Sequence, residues 1–197
     1  KTLGYVVKLL AIGRDLGERG VDVRVHPVFL PKGHPLASVN DVYNAIFVRG
    51  NAIGEAMFYG RGAGSLPTAS AVVADVIDIA RDMQMDTFGR VHCTCYANKS
   101  LCPIEETEAS YYVRLLVDDK PGVLAAIATA FGNHKVSMKS VIQTRRCQDK
   151  AEIVAITHRV KHRALEEAAV DLRSLAVVSE VRSIIRVENM QEENGSC

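Results

Sequence analysis

The spacing of apolar and polar positions changes several times along the chain, and each change marks an expected strand or helix. Residues 4–13 form a near-continuous apolar run, which favours a buried strand. Residues 21–30 alternate, with valines on one side and polar side chains on the other, which favours a second strand. Pro27 interrupts this second run, so we expect a bulge or a sheet edge there.

Two more strands are expected over residues 43–51 and 52–60, joined by a turn at Gly50-Asn51. A glycine-rich turn follows, and apolar residues then recur at the spacing of one helix face up to about residue 82. Ser65 is the expected N-cap of this helix, and Pro67 suits its first turn because the missing N–H costs nothing there. The apolar positions of the helix are Ala69, Val72, Val73, Val76, Ile77 and Ala80.

The pattern is lost over residues 85–110, which we interpret as a linker, and it begins again at Tyr111. Over residues 111–188 it predicts a strand, a helix opened by Pro121, two strands, a second helix and a last strand. This βαββαβ order is the ferredoxin-like arrangement. The predicted class is therefore α+β, with a mixed-sheet region over residues 1–84, the linker, the βαββαβ domain and a disordered tail at 189–197.

Composition excludes several classes of function. The formal net charge is +1, hydrophobic residues make up 48% of the chain, and no basic block suggests nucleic-acid binding. No apolar run approaches the roughly 20 residues that cross a membrane. The chain starts at Lys1 directly with a strand pattern, so we interpret it as a fragment whose N-terminal part is missing.

Five cysteines without a secretion signal favour a reducing, cytoplasmic setting. The sequence "HCTCYANKSLC" holds His92 and three of the cysteines, which are residue types that bind zinc. A C-x-C pair with one distal cysteine lacks the usual second pair of ligands, so linker thiols are expected and no metal site is predicted. The cysteines are Cys93, Cys95, Cys102, Cys147 and Cys197.

The stretch "LLVDDKPGVLAAIATAFGNHKVSMKSVIQ", residues 115–143, resembles an ACT domain. Its helix N-terminus offers free N–H groups and partial positive charge, which suit a carboxylate, and Gly122 leaves the backbone open. The resemblance implies an amino-acid effector bound between paired domains, with its ammonium group at Asp119. The alternative is a module that pairs and binds nothing. The residues expected at the effector site are Asp119, Pro121, Gly122, Val123, Leu124, Ser137, Ile142 and Gln143.

Residues 3–82, and "GRGAGSLPTAS" in particular, resemble the C-terminal end of the homoserine dehydrogenase catalytic domain. The resemblance implies an enzyme that interconverts L-homoserine and L-aspartate 4-semialdehyde with NADP or NAD. It places Gly62, Ala63 and Gly64 near the nicotinamide of the cofactor, and glycine does permit close backbone approach.

The same resemblance places the catalytic lysine and the acidic homoserine ligands upstream of Lys1, so no catalytic residue is assigned and this chain alone is expected to be inactive. The sequence holds no G-x-G-x-x-G after a strand. Threonine is the first effector candidate, and homo-oligomers are expected through the sheet and through paired ACT domains. The alternative function is a non-enzymatic amino-acid sensor or dimerisation module.

Overall fold

The computed structural model describes residues 4–87, 97–147 and 149–188, with no account of the side chains of residues 144–147. The chain forms two compact units, one made of residues 1–31 with 99–197 and the other of residues 32–98. The expected disordered tail and the thiols of Cys93 and Cys95 lie outside the described residues.

The observed elements follow the predicted order. The strands are β1 Tyr5–Asp15, β2 Val21–Pro31, β3 Tyr43–Gly50, β4 Gly54–Arg61, β5 Glu108–Asp118, β6 Met138–Cys147, β7 Lys150–Thr157, β8 Val160–Lys161 and β9 Val178–Val187. The helices are α1 Ser65–Met85, α2 Val123–Asn133 and α3 His162–Ser174.

The larger unit is built on one mixed sheet in the order β1-β2-β9-β5-β7-β6. Its last four strands, with α2 and α3, form the predicted βαββαβ arrangement. Alternate residues of β5 point toward the helices and are almost completely buried, as expected where one sheet face is covered. The centre of this core comprises Tyr111, Val113, Leu115 and Val117 of β5, Ile127 and Phe131 of α2, and Leu165 and Leu172 of α3.

The hairpin of β1 and β2 is regular from Tyr5↔Pro31 to Asp15↔Val21. β2 continues through Pro27 without a bulge, with Leu9 as the cross-strand partner. The other flank of β2 pairs with β9 only at the two residues after Pro27, so the proline lies where no second ladder needs its N–H. The edge alternative therefore describes this position.

The described end of the expected linker packs against the larger unit. Val21 donates its N–H to the carbonyl of Ser100 at 2.9 Å, and Cys102 donates to the carbonyl of Val21 at 2.8 Å. β5 begins at Glu108, before the predicted Tyr111, because residues 108 and 109 pair with β8.

In the smaller unit, β3 and β4 form an antiparallel hairpin that precedes α1. Its loop holds the three residues 51–53, so the two-residue turn at Gly50-Asn51 is wrong; Gly54, at φ 68°, closes the longer loop. The N-cap of α1 is Gly64 rather than Ser65, and no side chain caps the helix. Pro67 lies in the first turn, as predicted.

Candidate functional site

The N-terminus of α2 has no side-chain cap. Gly122 is its N-cap at φ 87°, a left-handed conformation that favours glycine. A Cβ at this position would meet no other atom within 4 Å, so the backbone is open to a ligand. The first-turn N–H groups have no acceptor within the helix and carry partial positive charge. This helix end therefore suits a carboxylate.

The loop between β5 and α2 is held by the neighbouring hairpin of β6 and β7. Asp119 donates its backbone N–H to the carbonyl of Asp149 at 2.9 Å. One residue earlier, Asp118 forms ion pairs with Lys150, its cross-strand partner, and with Lys120. These hydrogen bonds, above all that of Lys150, lower the pKa of the Asp118 carboxyl, so it is ionised near neutral pH. The loop thus has fixed attachments on both sides of Asp119.

Asp119 and Gln143 meet beside this helix end. The Gln143 Nε2 donates to the Asp119 Oδ1 at 3.5 Å. Gln143 pairs with Ile153, a core residue beneath the helices, and therefore lies on the helix-covered side of the sheet. A carboxylate and an amide thus meet three residues before the α2 N-cap, and together with the first-turn N–H groups they complement the two charged groups of an amino acid. We call this arrangement the α2 corner; it comprises Asp119, Pro121, Gly122, Leu124 and Gln143.

Three of the residues predicted for the effector site lie outside the α2 corner. Ile142 pairs with Val154, whose side chain lies on the face away from the helices, so Ile142 points away from Gln143. Ser137 precedes β6 at the other end of α2, and an extended chain from there to Gln143 covers roughly 20 Å. Val123 is 5% exposed and belongs to the core, where it anchors the helix.

The glycine-rich turn of the smaller unit links β4 to α1 and is exposed. A Cβ at Gly62 would collide with the side-chain amide of Asn44, so any larger residue there requires the Asn44 side chain to move. Gly64 has φ 124° and ends the turn, and Ala63 lies between the two glycines. The N-terminus of α1 has no side-chain cap, and its first-turn N–H groups have no acceptor within the helix, an arrangement that suits an anionic or carbonyl oxygen.

Sequence reasoning missed Lys150 and Asp149 as residues that hold the loop between β5 and α2. Their role depends on the register Asp118↔Lys150 between β5 and β7, for which no local motif exists. Among the described residues, no group of three or more histidine, cysteine or acidic residues could hold a metal ion. The described helices include none that is both long enough and apolar enough to cross a membrane.

Comparison with known proteins gives the two segments their families. Residues 1–77 match the profile of homoserine dehydrogenase, and residues 111–177 match that of the ACT domain. The homoserine dehydrogenase of Synechocystis is 43% identical over 193 residues. Over nearly its whole length, this chain is similar to homoserine dehydrogenases. The homoserine dehydrogenase of Bacillus subtilis is 35% identical over 190 residues.

Solved structures agree with this assignment. The homoserine dehydrogenase of Thiobacillus denitrificans superimposes with a TM-score of 0.85 at 35% identity, over 95% of this chain and 43% of that one. The Synechocystis relative is likewise covered over 45% of its length, against 94% of this chain. This chain thus spans somewhat under half the length of these relatives.

Proposed function

We propose that this chain is the sheet-forming and regulatory part of a cytoplasmic homoserine dehydrogenase, which interconverts L-homoserine and L-aspartate 4-semialdehyde with NADP or NAD. The match of residues 1–77 to that family carries the proposal. The turn at Gly62, Ala63 and Gly64 would lie against the nicotinamide end of the cofactor, which supplies hydride transfer. This chain's own contribution there is close backbone approach and the open donors of α1.

The family resemblance places the catalytic lysine upstream of Lys1, and no lysine among the described residues is assigned that role. We therefore expect residues 1–197 alone to form no NADPH or NADH from homoserine. The measurement is absorbance at the nicotinamide band with homoserine and each cofactor. Homoserine-dependent reduction by the purified chain would contradict this division of labour.

The second part of the proposal is that the ACT domain binds an amino-acid effector at the α2 corner. The convergence of Asp119, Gln143 and the α2 N-terminus is the observation that carries it. The effector carboxylate would accept hydrogen bonds from the first-turn N–H groups, and its ammonium group would pair with Asp119. L-Threonine is the first candidate, because an end product made from homoserine is the natural signal for this enzyme.

Substitution of Asp119 tests the effector site. A charge-assisted hydrogen bond to the ammonium group contributes roughly 1.5–3 kcal/mol, so Asp119→Ala should weaken binding about ten- to a hundredfold. Ser137→Ala is the matched control, since Ser137 lies at the far end of α2 and should leave binding unchanged. The measurement is the shift of melting temperature with amino-acid concentration. Equal stabilisation of wild type and Asp119→Ala would contradict the ammonium assignment.

Assembly of the domain is the competing function. β6 is one of the two edge strands of the sheet, and Val141 and Ile142 on it are more than one-third exposed. Strand edges with exposed apolar side chains favour pairing with another chain. We expect a homo-oligomer by light scattering, with or without effector, and a monomer at micromolar concentration would contradict it.

A further inference from the structure

The hairpin of β1 and β2 lies in the same sheet as β5, β6, β7 and β9, which we call the regulatory strands. β2 runs parallel to β9, with the pairs Val28↔Arg186 and Phe29↔Val187, and Glu188 donates its N–H to the carbonyl of Phe29 at 2.9 Å. Residues 1–77 nevertheless match homoserine dehydrogenase, whereas the ACT match covers residues 111–177. The sheet therefore crosses the boundary between the two matched segments.

Side chains on both faces of the sheet reinforce the pairing of β2 with β9. On the face away from the helices, the Phe29 ring contacts the Tyr112 ring of β5, with centroids 4.7 Å apart and a tilt of 48°. On the helix-covered face, Arg14 of β1, the cross-strand partner of Asp22, forms an ion pair with Glu188, directly after β9. Both contacts extend beyond the β2–β9 pair: the first joins β2 to β5, and the second joins β1 to the residue after β9. We call this set of contacts, with the two β2–β9 residue pairs, the hairpin junction.

On the helix-covered side, the hairpin junction is buried. Val28 has no exposed surface. Nearby, Arg24 forms an ion pair with Asp22, and the two side chains are 11% and 7% exposed. The guanidinium of Arg186 lies over the Tyr111 ring, 5.7 Å from its centroid. The contacts that cross from the hairpin to β5 and β9 are the β2–β9 backbone pairing, the Phe29–Tyr112 contact and the Arg14–Glu188 ion pair.

β5 connects the hairpin junction to the α2 corner. Tyr112 lies in the first half of this strand, and its last residue, Asp118, precedes the loop to α2. Two register shifts interrupt the β5–β9 ladder between these ends, at Arg114/Leu115 and at Leu116/Val117. Such irregularities bend a strand and change its twist, so they provide a place where a shift at one end can alter pairing at the other.

We propose that the hairpin junction transmits effector occupancy from the ACT domain to the segment 1–31, through β5 and β9. This inference rests on the proposed function of the α2 corner. Effector binding would alter the strand pairing of β5 with β9 at the two register shifts. Because β9 is hydrogen-bonded to β2, the change in β9 would also alter the position of β2. Coupling of this kind is reciprocal. If effector binding stabilises the hairpin junction, a substitution that weakens the hairpin junction must also weaken effector binding.

Backbone hydrogen exchange of the whole chain, with and without saturating amino acid, tests the transmission. The ligand is whichever of threonine, isoleucine, methionine and lysine binds in a calorimetric titration. We expect saturation to slow the exchange of β2 amides roughly fivefold or more. Phe29→Ala should remove most of this protection and weaken binding by a similar factor. Phe29→Leu, which keeps most of the side-chain volume, should act in the same direction and guards against a variant that fails to fold.

Val25→Ala is the matched control, because Val25 lies on the same face of β2 but is 69% exposed and outside the hairpin junction. It should leave both the affinity and the exchange response unchanged. Binding by the wild type without any change in β2 exchange would overturn this inference while leaving the effector site intact. A chain that binds none of the four amino acids would overturn the effector site, and the transmission with it.

Discussion

Replacement of Gly122 by alanine isolates the conformational requirement at the entrance of the α2 corner. Gly122 has φ 87°, and a Cβ there would meet nothing within 4 Å. The change therefore introduces no steric overlap with another residue, and its cost comes from the backbone conformation alone. Gly122→Val would add β-branching to the same strain, so we expect it to destabilise the fold as well as to block a ligand.

The magnitude follows from two opposing effects. The left-handed conformation costs an L-residue roughly 1–2 kcal/mol. Loss of glycine also restricts the unfolded chain, which offsets about 0.4–1 kcal/mol of that cost. The net destabilisation by Gly122→Ala should be about 1 kcal/mol, or a fall in melting temperature of about 2–4 °C for a chain of this size.

Gly132, at the other end of the same helix, provides the control. A Cβ there also meets nothing within 4 Å, but its φ lies outside the left-handed region. Gly132→Ala should therefore stabilise the protein by about 0.4–1 kcal/mol. The assay is urea unfolding of both variants and the wild type. A Gly122→Ala variant as stable as Gly132→Ala would refute the conformational argument.

Two further predictions concern the helices α2 and α3. His134 at the end of α2 lies 2.7 Å from Asp171 and 3.4 Å from Glu167, and the hydrogen bond to Asp171 raises the pKa of His134. The stabilisation by protonated His134 should therefore be present below about pH 6.5 and be lost as pH rises through the raised pKa. The melting temperatures of wild type and His134→Gln should differ more at about pH 5.5 than at about pH 8.5, and an equal difference would contradict this. Phe131 has no exposed surface, so Phe131→Ala should lower the free energy of unfolding in urea by about 3–5 kcal/mol. Val170 of α3 is 62% exposed, so Val170→Ala should change the free energy of unfolding by less than about 0.5 kcal/mol. Similar losses in both variants would contradict the assigned core.

Local patterns in the sequence predict most of the elements because their causes are local. The alternation in β5 reflects a sheet with one covered face, and the Pro-Gly turn before α2 reflects the left-handed N-cap. Capping was less predictable. Serine is a residue type that favours the N-cap position, yet Ser65 is already the first residue of α1. Gly64 is the N-cap, because its positive φ redirects the chain where the helix begins.

The candidate site depends on relationships that local patterns do not contain. Ile142 and Gln143 are adjacent, yet adjacent strand residues face opposite sides of a sheet, so only Gln143 reaches the α2 corner. The contribution of Lys150 depends on strand register. The pairing of β2 with β9 joins distant parts of the chain, and no turn or periodicity specifies it.

Calorimetric titration of the wild-type chain with threonine, isoleucine, methionine and lysine tests the central claim, that the α2 corner binds an amino-acid effector, most directly. We predict saturable binding of at least one of the four, with threonine first, and weaker binding of the same amino acid by Asp119→Ala by about ten- to a hundredfold. Absence of binding heat for all four, together with an unchanged melting temperature, would contradict the claim and leave the ACT domain as a pairing module.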